Sequence, residues 1–173
     1  LNPSGANGGA LPGGIGWYRK HLNLNDNDVS SHYVLHFDGA YMNTSVYVNG
    51  QLVGVRPYGF ISFSYDITPY LKKQGDNVVA VKVDNSKQPN SRWYTGCGIY
   101  RHVYLMKSSD IRIEEWGVQA LTEVKKGKGK VSLNTKIENP SGRSRRVIVH
   151  QTLWNKAHLM VSKASKACQV EAN

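Results

Sequence analysis

Carboxylates are scarce in this sequence, cysteines are scarcer, and long apolar runs and helical repeats are missing altogether. Only 12 Asp and Glu stand against 22 Lys and Arg, a formal net charge of +10. Such an excess calls for a nucleic-acid reading, but its distribution argues against one, because residues 1–108 carry a net +4 and residues 109–173 a net +6. The C-terminal excess falls in the Lys-Lys-Gly-Lys-Gly-Lys tip at 125–130 and in Arg143, Arg145 and Arg146, after an Asn-Pro-Ser-Gly turn. Neither is interleaved with the aromatic rings of a nucleic-acid platform, so no nucleic-acid partner is expected. The two cysteines, Cys97 and Cys168, supply neither a disulfide framework nor a metal cluster, and free thiols are the expectation. No run approaches the roughly 20 apolar residues of a membrane span, so no membrane partner is expected. The chain opens on Leu1-Asn-Pro-Ser-Gly5, not on a basic stretch followed by a greasy one, and no leader is read within it. A periplasmic or secreted location would then mean a leader removed upstream of Leu1, with the cytoplasm as the alternative.

What is present is alternation with a period of two. Residues 17–24 alternate apolar with polar toward their end, and residues 32–38 put His32, Val34, His36 and Asp38 on one face and Tyr33, Leu35 and Phe37 on the other. Residues 78–83 and 102–106 are apolar enough for buried or half-buried strands. The clearest local signal is the hairpin at 45–55, whose Asn49-Gly50 supplies the two positive-φ positions of a type I′ turn. Structure, not chemistry, accounts for that pair. Residues 60–67 read as a further strand, Thr68-Pro-Tyr-Leu71 as a short helical turn opened by proline, and residues 75–77 as a turn. Beyond residue 109 strands are expected at 110–120, 130–138, 146–154 and 167–171. Strands at this spacing with no lasting 3.6-residue pattern make an all-β chain: a sandwich or jelly roll over 1–108, then a second sandwich over 109–173. His32 and His36 tempt a metal reading, yet four residues along a strand span about 13 Å, too far for two ligands of one ion. No metal or cofactor is expected.

One stretch obeys neither period. Residues 85–101 join two strands by a connection rich in turn formers, and a connection of that length inside a compact domain is functional or disordered. Trp93, Tyr94, Ile99 and Tyr100 are costly to leave in water, and Gly96 and Gly98 allow the backbone to fold back, so an ordered loop is the reading.

This loop, Ser91-Arg-Trp-Tyr-Thr-Gly-Cys-Gly-Ile-Tyr-Arg101 with Asp84-Asn-Ser86 before it, resembles the N-terminal sugar-binding module of glycoside hydrolase family 2, most closely its bacterial β-galactosidase branch. Two further stretches agree in order: Leu11-Pro-Gly-Gly-Ile-Gly-Trp-Tyr-Arg-Lys20, and Val46-Tyr-Val-Asn-Gly50 with Gly54, Tyr58-Gly-Phe60 and Phe63-Ser-Tyr-Asp-Ile-Thr68. The resemblance implies a jelly-roll, galactose-binding-like domain followed by an immunoglobulin-like sandwich. Residues 109–173 fall short of the roughly 100 residues of such a sandwich, so the second domain is expected to be cut short, with an open edge through which copies would pair.

The chemistry of the chain lies in binding. Retaining glycoside hydrolysis needs two carboxylates about 5 Å apart, and the only adjacent glutamates, Glu114 and Glu115, point to opposite faces if they lie on a regular strand. No catalytic residue is assigned, and whether the chain counts as an enzyme turns on its parent. No Gly-x-Ser-x-Gly elbow is present, and Cys97 has only His102 as a conceivable base. Asp84, Asn85, Asn90, Arg92, Trp93 and Tyr94 are the residue types that hold sugars, planar polar groups for hydroxyls and aromatic faces for C–H surfaces. By resemblance, Asp84 or Asn85 would touch a galactosyl group held by a C-terminal (β/α)₈ barrel. Asn2 or Asn7 would reach it from the N-terminal segment, and Trp93 with Tyr94 would either touch sugar or pack on the barrel. Arg101 reads as the buried partner of a carboxylate. Two functions are open: the non-catalytic N-terminal part of a family 2 glycosidase, a β-galactosidase by its resemblance, or an autonomous carbohydrate-binding module or lectin.

Overall fold

The computed structural model describes residues 13–25, 31–87 and 96–172 and divides into two compact units, Leu1–Lys107 and Ser108–Asn173. Among the described residues the secondary structure is strand throughout, apart from one 3₁₀ turn at Thr68–Tyr70, and no helix is long and apolar enough to cross a membrane.

The strands of the first unit are β1 Ile15–Asn25, β2 His32–Phe37, β3 Ala40–Tyr41, β4 Thr44–Val48, β5 Gln51–Arg56, β6 Phe63–Asp66, β7 Gln74–Asp84, β8 Gly98–Ile99 and β9 Val103–Ser108. They lie as one sheet in the order β1-β7-β4-β5 and a second in the order β6-β2-β9, with β3 and β8 as a short extra ladder. Alternation decides which side chains meet. Tyr33, Leu35 and Phe37 of β2, Val46 and Val48 of β4, and Val79, Val81 and Val83 of β7 turn inward and join Phe63 and Ile67 in one buried cluster. Phe37 and Phe63 sit opposite each other in the register and stack at 4.7 Å between centroids. Each such side chain removed from water stabilises the sandwich by about 1.5–3 kcal/mol.

The outer face of β2 uses its histidines locally. His32 Nε2 lies 3.2 Å from Asp66, and His36 lies 2.7 Å from the Ser64 hydroxyl and 3.2 Å from Asp38. Among the described residues no three His, Cys, Asp or Glu are grouped to hold a metal ion.

The β4–β5 turn has Asn49 at φ 51° and Gly50 at φ 82°, as a type I′ turn requires. Turn geometry is not its whole explanation. The Asn49 carboxamide also donates to Tyr70 O and Asn77 Oδ1, both at 2.8 Å, and accepts from the Val78 amide at 3.0 Å. The fully buried Asn77 in turn accepts from Lys72 N at 2.7 Å and donates to Lys72 O at 2.9 Å. This amide pair ties the hairpin tip to the 3₁₀ turn and to β7.

Three expectations need correction. The strand read over 60–67 begins only at Phe63, and Phe60 and Ile61 are exposed, because the chain bends at 59–61 before it pairs with β2. The turn read at 75–77 is strand: β7 starts at Gln74, and Gly75 at φ 86° stays in register opposite Leu24. Arg101 is exposed, not buried.

The second unit holds β10 Arg112–Lys125, β11 Lys128–Glu138, β12 Arg145–Trp154 and β13 Met160–Val170, paired as two antiparallel ladders, β10-β11 and β12-β13. Lys126 at φ 49° and Gly127 at φ 74° turn the chain at the lysine-rich tip. The last strand starts at Met160, earlier than the 167–171 expected, since Ser, Lys and Ala at 162–167 are weak strand formers recruited by pairing with β12. Gln151 donates to Thr135 Oγ1 at 2.9 Å and so links the two ladders. The fully buried Asn139 donates to Arg143 O at 2.7 Å and Val170 O at 2.9 Å.

Candidate functional site

The end of β7 carries the part of the sugar-binding set that the structure describes. Residues 82 and 84 share the outward face of a strand whose alternate valines are buried, so Lys82 and Asp84 lie side by side, Nζ to Oδ2 at 3.1 Å. Asp84 Oδ1 accepts from the Ser86 hydroxyl at 2.6 Å and the Ser86 amide at 3.1 Å. Those two bonds, then Lys82, hold the Asp84 carboxyl down at about 2. At neutral pH it is a fixed, ionised acceptor, able to take hydroxyl protons in hydrogen bonds and unable to serve as a general acid.

The backbone around Asp84 is pinned from three sides. Its amide donates to Met42 O at 2.9 Å, and its carbonyl accepts from Asn43 Nδ2 at 3.1 Å. Asn43, at φ 46°, also donates its amide to Pro57 O at 3.1 Å, so one residue ties β7's end to the chain after β5. Across the ladder Ile15 sits opposite Asp84 and Trp17 opposite Lys82. Trp17 is 61 % exposed and packs against Tyr47 at 5.8 Å, which leaves an aromatic face beside the ion pair.

Asn85 has a different surrounding from Asp84. It is 2 % exposed, its amide donates to Gly14 O at 2.8 Å, and its Nδ2 donates to Cys97 Sγ at 2.8 Å. The carboxamide thus holds the loop's returning end. Beyond it Gly98, at φ 86°, lies so close to the Tyr18 hydroxyl that a Cβ would meet it at 2.1 Å, and the same hydroxyl accepts from the Ile99 amide at 3.2 Å. The nucleophile–base pairing weighed for Cys97 and His102 is not seen, since His102 Nδ1 instead lies 3.7 Å from Asp38.

Of the other residues read as sugar contacts, Asn2, Asn7, Asn90, Arg92, Trp93 and Tyr94 lie outside the described residues. Sequence reasoning passed over Trp17 and Lys82 as neighbours of Asp84. The period of β7 places 82 beside 84, but only the β1–β7 register brings Trp17 there. Glu114 and Glu115 fall where the β10–β11 register breaks between Ile113 and Val118, with Trp116 at φ 60°, so strict alternation does not hold for them. Glu114 pairs with Lys136 at 3.5 Å.

Comparison with known proteins follows the same lines. The family described as "Glycosyl hydrolases family 2, sugar binding domain" matches residues 10–109. A beta-galactosidase of Bacteroides ovatus, BoGH2A, is 47 % identical over 172 residues, which make up 99 % of this chain and 20 % of that relative. A beta-glucuronidase of Formosa agariphila is 27 % identical over 174 residues, 88 % of this chain and 18 % of the relative. Among solved structures, a glycosyl hydrolase family 2 member from Bacteroides cellulosilyticus superposes with a TM-score of 0.91 at 31 % identity, covering 98 % of this chain and 22 % of that one. The chain thus spans about a fifth of the length of the relatives it matches.

Proposed function

Because the chain belongs to glycoside hydrolase family 2 and carries its sugar-binding domain, we propose that it serves as the non-catalytic N-terminal part of a glycosidase acting on β-galactosides or a related glycan in carbohydrate degradation. In this reading the surface around Asp84 completes one side of the substrate pocket, and the unit braces a catalytic (β/α)₈ barrel formed by other parts of the polypeptide. One observation carries the reading: Asp84 is a rigidly held carboxylate, ionised at every physiological pH, with an exposed indole next to it. That is the pairing a pyranose asks for, an acceptor for its hydroxyls and a flat apolar face for its C–H surface. Asn85, being buried, acts in this reading as the residue that fixes the loop next to Asp84.

The test is made in the longer enzyme. Asp84→Ala should lower kcat/KM toward a nitrophenyl β-galactoside by about tenfold or more, equivalent to about 1.4 kcal/mol of lost transition-state binding, with the melting temperature held close to that of the parent. An unchanged kcat/KM in a folded variant would reduce this surface to a brace. The 173-residue chain alone should turn over no glycoside, because no carboxylate pair of the required spacing is assigned in it. Turnover abolished by a substitution within the chain would overturn that.

A further inference from the structure

The two sheets of the first unit close differently at their two sides. On one side β5 meets β6, with the Arg56 guanidinium over the Phe63 ring at 5.6 Å. On the other, β1 faces β9 across an open cleft of about 330 Å³, lined by Tyr18 and Leu22 of β1, Val81 of β7, Phe37 of β2, and Val103 and Leu105 of β9. The side chains that β9 turns into this cleft are wet: Val103 is 40 % exposed and Leu105 39 %, whereas Leu35 and Phe37, one strand further in, are 5 % and 0 % exposed. The other face of β9 is no drier, with Tyr104 at 48 % and Met106 at 38 %. Among the described residues β9 pairs on one side only, with β2.

A long apolar edge strand with a free backbone row is what natural sheets cover or charge. Inward Val and Leu side chains left two-fifths exposed mean that this layer is one strand short on this side. No stretch of residues 1–173 has the pattern to supply it. The strands β10 to β13 pair with one another, and the stretches 1–12, 26–30 and 88–95 are rich in Gly, Pro or polar residues without apolar alternation. A second copy would set β9 against β9, adding another wet strand in place of a cover, and +10 on each copy opposes the pairing.

We propose that the cleft is filled in cis by an extended strand from outside residues 1–173 of the longer polypeptide, one that adds to the free edge of β9 and drops alternate apolar side chains between β9 and β1. The chain covers 20 % of the length of its Bacteroides ovatus relative, so ample polypeptide lies outside it to provide such a strand. Attachment in cis supplies the effective concentration that a single strand needs to dock. This inference is independent of whether Asp84 touches sugar.

Hydrogen exchange compared between the 173-residue chain and the longer polypeptide tests it. The amides of residues 103–107 should exchange at least about tenfold more slowly in the longer polypeptide, while those of 79–83 change little. Equal rates at 103–107 would overturn the proposal, and so would protection in the short chain that rises with its concentration, which would give the edge to a second copy. Leu105→Asp provides a second readout. It should lower the melting temperature of the longer polypeptide by more than that of the short chain, where Leu105 already lies at an open mouth, and an equal drop in both would count against the added strand.

Discussion

In the first unit the alternate side chains of β2, β4 and β7 vanish from solvent, whereas in the second the alternate side chains of β11 and β12, among them Leu133, Ile137, Val147 and Val149, are only half-buried. Among the described residues every fully buried apolar side chain lies between Tyr33 and Val83. Both units read as strands for the same reason, a period of two and β-branched residues at alternate places. The difference shows that the pattern fixes a strand and its facing, while a core needs two layers broad enough to enclose what they face. The first unit sets a four-stranded sheet against a three-stranded one; the second sets one two-stranded ladder near another and relies more on polar ties such as Gln151 to Thr135 and Arg112 to Glu138, at 2.6 Å.

Truncating one inward side chain in each unit should break the symmetry of the two patterns most strongly. Phe37→Ala removes a ring stacked on Phe63 in the closed cluster and should cost about 3–5 kcal/mol. Val149→Ala, on the half-buried face of β12, should cost about 1 kcal/mol or less. Urea unfolding of the two variants measures both, and equal costs would mean that the second unit has a core as tight as the first.

A second pair of substitutions should show where the units agree. Asn77 and Asn139 are each fully buried, and each bonds through its carboxamide to backbone groups of a turn. Removing either amide strands buried donors and acceptors, so Asn77→Ala and Asn139→Ala should each cost about 1–3 kcal/mol, read from the same unfolding curves. A large cost at Asn77 and none at Asn139 would show that the second unit opens to water even at its best-buried residue.

Much of this was legible in the residues. The strands around Tyr33, Val48 and Val81, the Asn49-Gly50 turn and the proline-opened turn at Thr68 all follow from local rules, and the three motif stretches carry the family that the match over residues 10–109 bears out. What stayed hidden depends on contacts distant in sequence. Gly75 reads as a turn until its pairing with Leu24 is known, Asn49 shows its second task only when Asn77 and Tyr70 are brought to it, and the neighbourhood of Trp17 and Asp84 exists only through the register of β1 on β7. Asn85 illustrates the reverse case: beside Asp84 it is an equal candidate for sugar contact by residue type, and its burial against Cys97 separates the two.

The smallest expected effect concerns Asp84 itself. Its folded value, about 2, lies below the ordinary value of 3.8, so the folded state favours the ionised form. The sign follows from that ordering: the stability linked to this carboxylate is fully present above about pH 4, where the unfolded chain is ionised too, and is lost as the pH falls from there through 2. Because the group sits at the surface, the loss should be slight beside that of Phe37→Ala, and direct titration is the sharper measurement. Carboxyl carbon shifts of Asp84 followed by NMR should show a midpoint near 2 in the parent. Ser86→Ala removes the hydroxyl bond that does most to lower it and should move the midpoint up toward 3.8, with the Ser86 amide and Lys82 left to hold part of the shift. A parent midpoint already near 3.8 would mean that the Ser86 bonds do not persist in solution. Asp84 would then be an ordinary mobile surface carboxylate and no longer a prearranged acceptor for a sugar hydroxyl.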